Sequence, residues 1–184
     1  MRALVVYESM YGNTHTIAVS IAAGLSTRHD VTLVPVTRAT PELVAAADLL
    51  VVGGPTHLHR MSTAASRRWA ADAARKQVSG LTMDPDADGP GVRGWIEGVG
   101  SLDGPNTLAV AFDTRLGGVS LFTGRASRGI SRLLAGHGCR MFAAPESFLV
   151  SKRDTLRDGE ADRARAWGAM IGAAASNLYA PTVT

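Results

Sequence analysis

The sequence predicts a doubly wound α/β fold, a three-layer α/β/α sandwich around a five-stranded parallel sheet. Three observations carry this. Short apolar, β-branched runs alternate from end to end with segments of helical spacing, and there is no internal repeat. The first run, Ala3 to Tyr7, has no polar alternation, as expected of a strand covered on both faces. Strands that alternate with helices must also run parallel, because the helices serve as the crossover connections.

Ala3 to Tyr7 is the first strand. From Thr14 the spacing becomes helical, with Ile17, Ala18, Ile21, Ala22 and Leu25 on one face. Asp30 to Val36 is a second, alternating strand. Thr40 caps a short helix that has Pro41 at its first position and extends to Ala47. Leu49 to Val52 is the third strand, ending at Gly53-Gly54-Pro55-Thr56, and Ser62 caps a helix to about Lys76. Residues 79–106 are rich in Gly, Pro and Asp and read as a long loop insertion, with helical spacing only over Val92 to Val99. Thr107 to Phe112 is strand four, followed by a loop to about Gly124 and a helix over Arg125 to His137. Strand five starts at Cys139, is interrupted near Pro145 and resumes to Val150. The last helix covers Glu160 to Tyr179, with acidic residues at its positive end.

A chain of 184 residues suits one domain and buries about 70% of its unfolded surface. One cysteine, Cys139, excludes an intrachain disulfide and sits among apolar neighbours as a small buried hydrophobe. The opening apolar run is too short for a signal-peptide core or a membrane span, so the expectation is a cytoplasmic protein that does not insert into membranes. The net charge of +3 comes largely from scattered arginines without interleaved aromatics, which argues against nucleic acid as a partner. Trp69 and Trp167 read as packing residues on helices.

Ligands of doubly wound sheets bind beyond the carboxyl ends of the strands, where strand order reverses. The first such loop is Glu8-Ser9-Met10-Tyr11-Gly12-Asn13-Thr14. It leaves a buried strand and enters a helix directly, so free amides and the positive helix end converge. Gly12 permits close backbone approach, and Ser9, Asn13 and Thr14 add side-chain donors suited to a phosphate monoester. No lysine follows the glycine, against a triphosphate P-loop, and there is no Gly-x-Gly-x-x-Gly.

Val5-Val6-Tyr7-x-Ser9-x-x-Gly12-x-Thr14, with Ala18 and Ile21 at helical spacing, resembles the flavodoxin family. The resemblance implies the flavodoxin-like strand order 2-1-3-4-5, FMN as cofactor, and a phosphate held by Ser9, Met10, Tyr11, Gly12, Asn13 and Thr14. Tyr11 stands where simple flavodoxins tend to have threonine and is closer to the flavodoxin-like quinone reductases. Pro55, Thr56, His57, Leu58, His59, Arg60 and Met61 would line the flavin ring, without the tryptophan that electron carriers often place there. His57-x-His59 alone is a weak metal pair. Asp113, Thr114 and Arg115 would contact the far side and pyrimidine edge of the ring, with Phe122, Tyr11 and Trp95 as candidate stacking partners.

Arg60 and Arg115 depart from the acidic surroundings typical of low-potential flavodoxins. A cation about 5 Å away, at an effective dielectric of about 20, favours the reduced flavin anion by about 3 kcal/mol before solvent screening. That corresponds to a potential raised by some tens of millivolts or more, at about 59 mV per 1.4 kcal/mol for one electron. The leading functional expectation is an FMN electron-transfer protein working between redox partner proteins. The alternatives are an FMN-dependent NAD(P)H oxidoreductase acting on a quinone or other small, anionic acceptor, and a flavodoxin-fold binding module that has lost FMN. No catalytic acid, base or nucleophile stands out, since the flavin carries the chemistry.

Overall fold

Arg2–Tyr7 form β1, and every residue from Ala3 to Tyr7 is buried. Its side chains alternate between layers. Leu4 and Val6 enter one hydrophobic cluster, and Ala3, Val5 and Tyr7 enter the other. The computed structural model describes residues 1–57, 59–75, 81–100, 107–118 and 124–179.

Among these residues the elements are β1, α1 (Asn13–Leu25), β2 (Asp30–Pro35), α2 (Pro41–Ala45), β3 (Leu49–His57), β4 (Arg60–Met61), α3 (Ala64–Ala74) and α4 (Gly91–Gly98). They continue with β5 (Leu108–Leu116), α5 (Ala126–Gly136), β6 (Arg140–Met141), β7 (Glu146–Val150) and α6 (Glu160–Tyr179). The parallel sheet runs β2-β1-β3-β5, and both β6 and β7 pair with β5 on its outer side. These two are the halves of the interrupted fifth strand, so the long strands lie in the expected doubly wound order. The short β4 adds an antiparallel hairpin to β3, with Thr56 opposite Met61.

Two strands are longer than their sequence signals. The apolar run of β3 stops at Val52, yet pairing with β5 continues through Gly53↔Phe112, Gly54↔Asp113 and Pro55↔Thr114. Pro55 is tolerated because pairing with β1 ends at Tyr7↔Gly53, leaving its missing N–H without a partner to lose. Asp113, Thr114 and Arg115 therefore lie within β5 and not in a loop after it. The 79–106 segment contains α4 as a full eight-residue helix, whose Val92, Trp95 and Ile96 are buried. Thr63, not Ser62, caps α3, in a reciprocal box with Ser66.

Helices α1 and α6 form the most extensively packed helix pair. Gly24 and Gly168 permit this, since a methyl at Gly24 would meet the Arg165 carbonyl and one at Gly168 the Ile21 carbonyl. Trp167 is buried edge-on to Phe148 as a packing residue, whereas Trp69 is 72% exposed on α3, contrary to expectation. Helix α3 buries only Ala70, so its rotation carries Trp69 outward.

Candidate functional site

Gly12 has φ 85°, a left-handed conformation open to glycine at little cost, and it serves as the N-cap of α1 with no side-chain cap. The first intrahelical bond is Thr16 N–H to the Gly12 carbonyl at 2.9 Å. The amides of Asn13, Thr14 and His15 precede it, and none has an acceptor among the described residues. They point toward the end of the helix where the macrodipole is positive.

The side chains around the turn are held in place. Ser9 Oγ accepts from Gly12 N–H at 3.1 Å, Tyr11 Oη donates to the Ala70 carbonyl at 2.9 Å, and Asn13 Nδ2 donates to the Asp154 carbonyl at 2.7 Å. Burial, then the Asp154 charge, pushes the Tyr11 phenol upward. Met10 is buried against Ala70 and Ala87.

Thr14 Oγ1 lies 2.7 Å from Thr114 Oγ1, and both residues are buried. Two hydroxyls hold two protons but form one bond between them. Among the described residues neither has a further acceptor, so one O–H donor is left over in a site shielded from water. A buried donor without a partner costs about 1–3 kcal/mol, which an incoming anion removes.

These residues line a cleft of about 130 Å³, formed by Met10, Tyr11, Asn13, Thr14, Pro55, Thr56, His57, Thr114, Arg115, Leu116, Val150 and Asp154. Whole-ligand pockets run to about 300–1,000 Å³, so the cleft fits a phosphate and the chain attached to it. Uncapped amides, a surplus hydroxyl proton and glycine at the bend match the donor set of a phosphate monoester.

The upper wall is set by β3. Thr56 Oγ1 accepts from Ala126 N–H at 2.9 Å, and His57 Nδ1 is 3.3 Å from Ser66 Oγ. Burial holds the His57 imidazole below its ordinary value, with the buried Glu8 carboxylate pulling the other way. Glu8 Oε2 accepts from Val92 N–H at 2.9 Å, which ties α4 to the turn. Arg115 is 8% exposed and donates to the carbonyls of Leu116 and Gly118. Its burial, then the neighbouring Arg125, pushes its guanidinium downward.

Not every residue singled out in the sequence meets in the cleft. Asp113 is fully buried beneath α5, where Oδ2 accepts from Ser127 N–H at 2.7 Å, so it anchors that helix. His59 (φ 71°), Arg60 and Met61 turn away and line a separate recess against α4 and α5. Leu58 and Phe122 lie outside the described residues. Trp95 is buried in the core and its indole donates to the Ala39 carbonyl at 2.7 Å, so it does not reach the cleft. Among the described residues no group of three or more His, Cys, Asp or Glu is arranged to hold an ion.

Asp154, Val150 and Leu116 complete the cleft without having been singled out. Leu116 and Val150 end β5 and β7, and the signal for Asp154 was the polar Ser151-Lys152-Arg153-Asp154-Thr155 stretch that follows β7. Asp154 has φ 53°, a conformation that aspartate tolerates better than most side chains.

The family model described as Flavodoxin matches residues 5–121. No curated protein matches the chain significantly. Among solved structures, a flavodoxin from the domain Archaea aligns with a TM-score of 0.63 at 16% identity, covering 96% of this chain and 99% of that one. A flavodoxin, WrbA-like protein from Agrobacterium tumefaciens gives a TM-score of 0.58 at 20% identity, covering 96% and 98%. Oxidised Flavodoxin 1 from Bacillus cereus gives 0.59 at 13% identity, covering 98% and 100%. At these identities the likeness is one of fold.

Proposed function

The chain belongs to the flavodoxin family, and from that premise we propose that it holds FMN by the Ser9–Thr14 turn and transfers electrons through it. Flavin binding is general in the family; the seat and the role in this chain are our reading. The observation that carries it is the surplus hydroxyl proton of the Thr14–Thr114 pair beside three uncapped amides. When bound, FMN supplies reversible uptake and release of electrons.

The protein's part is binding and field. The amides of Asn13, Thr14 and His15 and the Thr14 hydroxyl donate to the phosphate, each charge-assisted bond contributing about 1.5–3 kcal/mol. Ser9 holds the bend through Gly12 N–H, and Asn13 clamps the turn to the Asp154 loop. Pro55, Thr56 and His57 form one wall and Thr114, Arg115 and Leu116 the other. Arg115 provides a partly desolvated cation that favours negative charge on the ligand.

Two roles fit this site. One is a carrier between redox partner proteins. The other is an oxidoreductase drawing electrons from NADH or NADPH for a quinone or other small acceptor, which Tyr11 and the cationic Arg115 wall favour. Absorbance spectra of the purified chain separate them. Added FMN should shift its spectrum on binding. Bleaching by NADPH alone then identifies the oxidoreductase, and bleaching only with a reductase identifies the carrier. Colourless protein that ignores FMN would overturn the reading in favour of a module that has lost its cofactor. Among the described residues no helix is long and apolar enough to cross a membrane.

A further inference from the structure

Away from the cleft, β4, α4 and α5 enclose a recess of about 580 Å³ lined by Arg60, Arg93, Arg125, Arg128 and Arg132, with His59 at its rim. Three of the arginines follow from helix geometry. Arg125 caps α5, and Arg128 and Arg132 follow at spacings of three and four, which puts them on one face. Arg93 comes from α4 and Arg60 from the β4 hairpin, so three separate elements converge.

Among the described residues no carboxylate lines the recess and none of the five arginines forms an ion pair. Elsewhere Arg38 and Arg75 each meet an aspartate, and Arg163 pairs with Glu146 and Glu160. Arg125 Nε is buried with no hydrogen-bond partner among the described residues, a charged donor withdrawn from water. Five like charges around one concavity repel one another, and a buried guanidinium donor left unpaired adds to that cost. A multiply charged anion removes both penalties together.

We propose that this recess is a binding site for a small molecule carrying adjacent phosphate groups, such as a nucleoside diphosphate or the diphosphate of a nicotinamide dinucleotide. The guanidinium fork matches phosphate oxygens in bidentate fashion. The volume lies within the range of about 300–1,000 Å³ of small-molecule sites. A concave surface of that size suits a compact ligand better than the face of a protein. Met61 and Leu133 give it an apolar wall against which a base can rest. The site is distinct from the FMN seat, which takes a monoester at the start of α1.

Calorimetric titration of the purified full chain at low salt, with inorganic pyrophosphate, ADP, NADPH and citrate as separate probes, tests this. Pyrophosphate should bind saturably and more tightly than citrate. Arg128→Ala with Arg132→Ala, both exposed in the structure, should weaken it by about tenfold for each guanidinium removed, while FMN uptake stays unchanged. Arg93→Gln, on a different helix, should weaken it similarly and serves if the double variant is poorly folded. ADP tighter than pyrophosphate identifies a nucleotide ligand, and NADPH tighter than ADP identifies the dinucleotide. No saturable binding of any phosphate probe, binding undiminished in the variants, or tighter binding of citrate overturns the proposal. Loss of FMN uptake in the double variant would overturn the separation of the two sites.

Discussion

Replacing Thr14 with valine exchanges a hydroxyl for a methyl of nearly the same size in a site that is 1% exposed. Either hydroxyl can donate across the 2.7 Å contact; in the proposed FMN complex Thr114 donates to Thr14 Oγ1, leaving the Thr14 proton for a phosphate oxygen. Thr14→Val removes the internal bond, worth about 1 kcal/mol, and strands the buried Thr114 hydroxyl, giving a total loss of about 1–3 kcal/mol. For a chain of this length, that lowers the melting temperature by about 2–12 °C. It also removes one charge-assisted bond of about 1.5–3 kcal/mol, so FMN affinity falls by about 10- to 150-fold. Thr114→Val leaves the Thr14 proton available and should lower FMN affinity only several-fold. The assay is quenching of flavin fluorescence on titration with protein, run for FMN and for riboflavin, which lacks the phosphate. The double variant should bind FMN as weakly as Thr14→Val alone. Additive losses in the double variant would show that both hydroxyls reach the ligand and refute the single-proton argument. An equal loss for riboflavin would remove the phosphate from the turn altogether.

Three further outcomes are expected. Gly24→Ala places a methyl against the Arg165 carbonyl and should destabilise the fold by about 1–3 kcal/mol in urea unfolding, with the α1–α6 contact as the cause. Burial keeps folded His57 neutral below its ordinary value of 6.5, so the unfolded chain binds more protons in that window. Its contribution to stability is therefore complete above pH 6.5 and is lost as pH falls toward the folded value, and His57→Asn should flatten the fall that begins below pH 6.5 in pH-dependent unfolding. Arg115→Met removes a partly desolvated cation from the cleft wall, and a redox titration of the FMN-loaded protein should find the midpoint lowered by some tens of millivolts.

Much of the fold was legible in the sequence because its signals are local. The continuous apolar run of Ala3 to Tyr7, Pro41 behind Thr40 and the acidic start of α6 each specify an element through its own neighbours. The ends of β3 and β5 were not legible, since Gly53-Gly54-Pro55 carries turn chemistry and only the register with Phe112, Asp113 and Thr114 keeps it extended. Helix α4 was half-visible at Val92 to Val99. What secures it is the distant Glu8 carboxylate at Val92 N–H, a bond that no window around residue 92 contains.

The candidate site divides in the same way. Ser9, Gly12 and Thr14 form a contiguous motif and can be read directly. Thr114 could be assigned to the far loop, but its hydroxyl contact with Thr14 spans a sequence separation of 100. His59 and Arg60 follow His57 in sequence, yet the left-handed backbone at His59 sends them to another face. The arginine recess was invisible as a unit because its members come from three separate elements.

The interlock at Gly24 and Gly168 has a consequence for how the protein is made. The bend proposed to receive the cofactor, Ser9 to Thr14, is made well before α6 (Glu160–Tyr179), against which its helix locks. Until α6 docks, the first helix lacks its main support. Loading of the proposed cofactor is therefore expected to wait for α6, however early its binding residues appear.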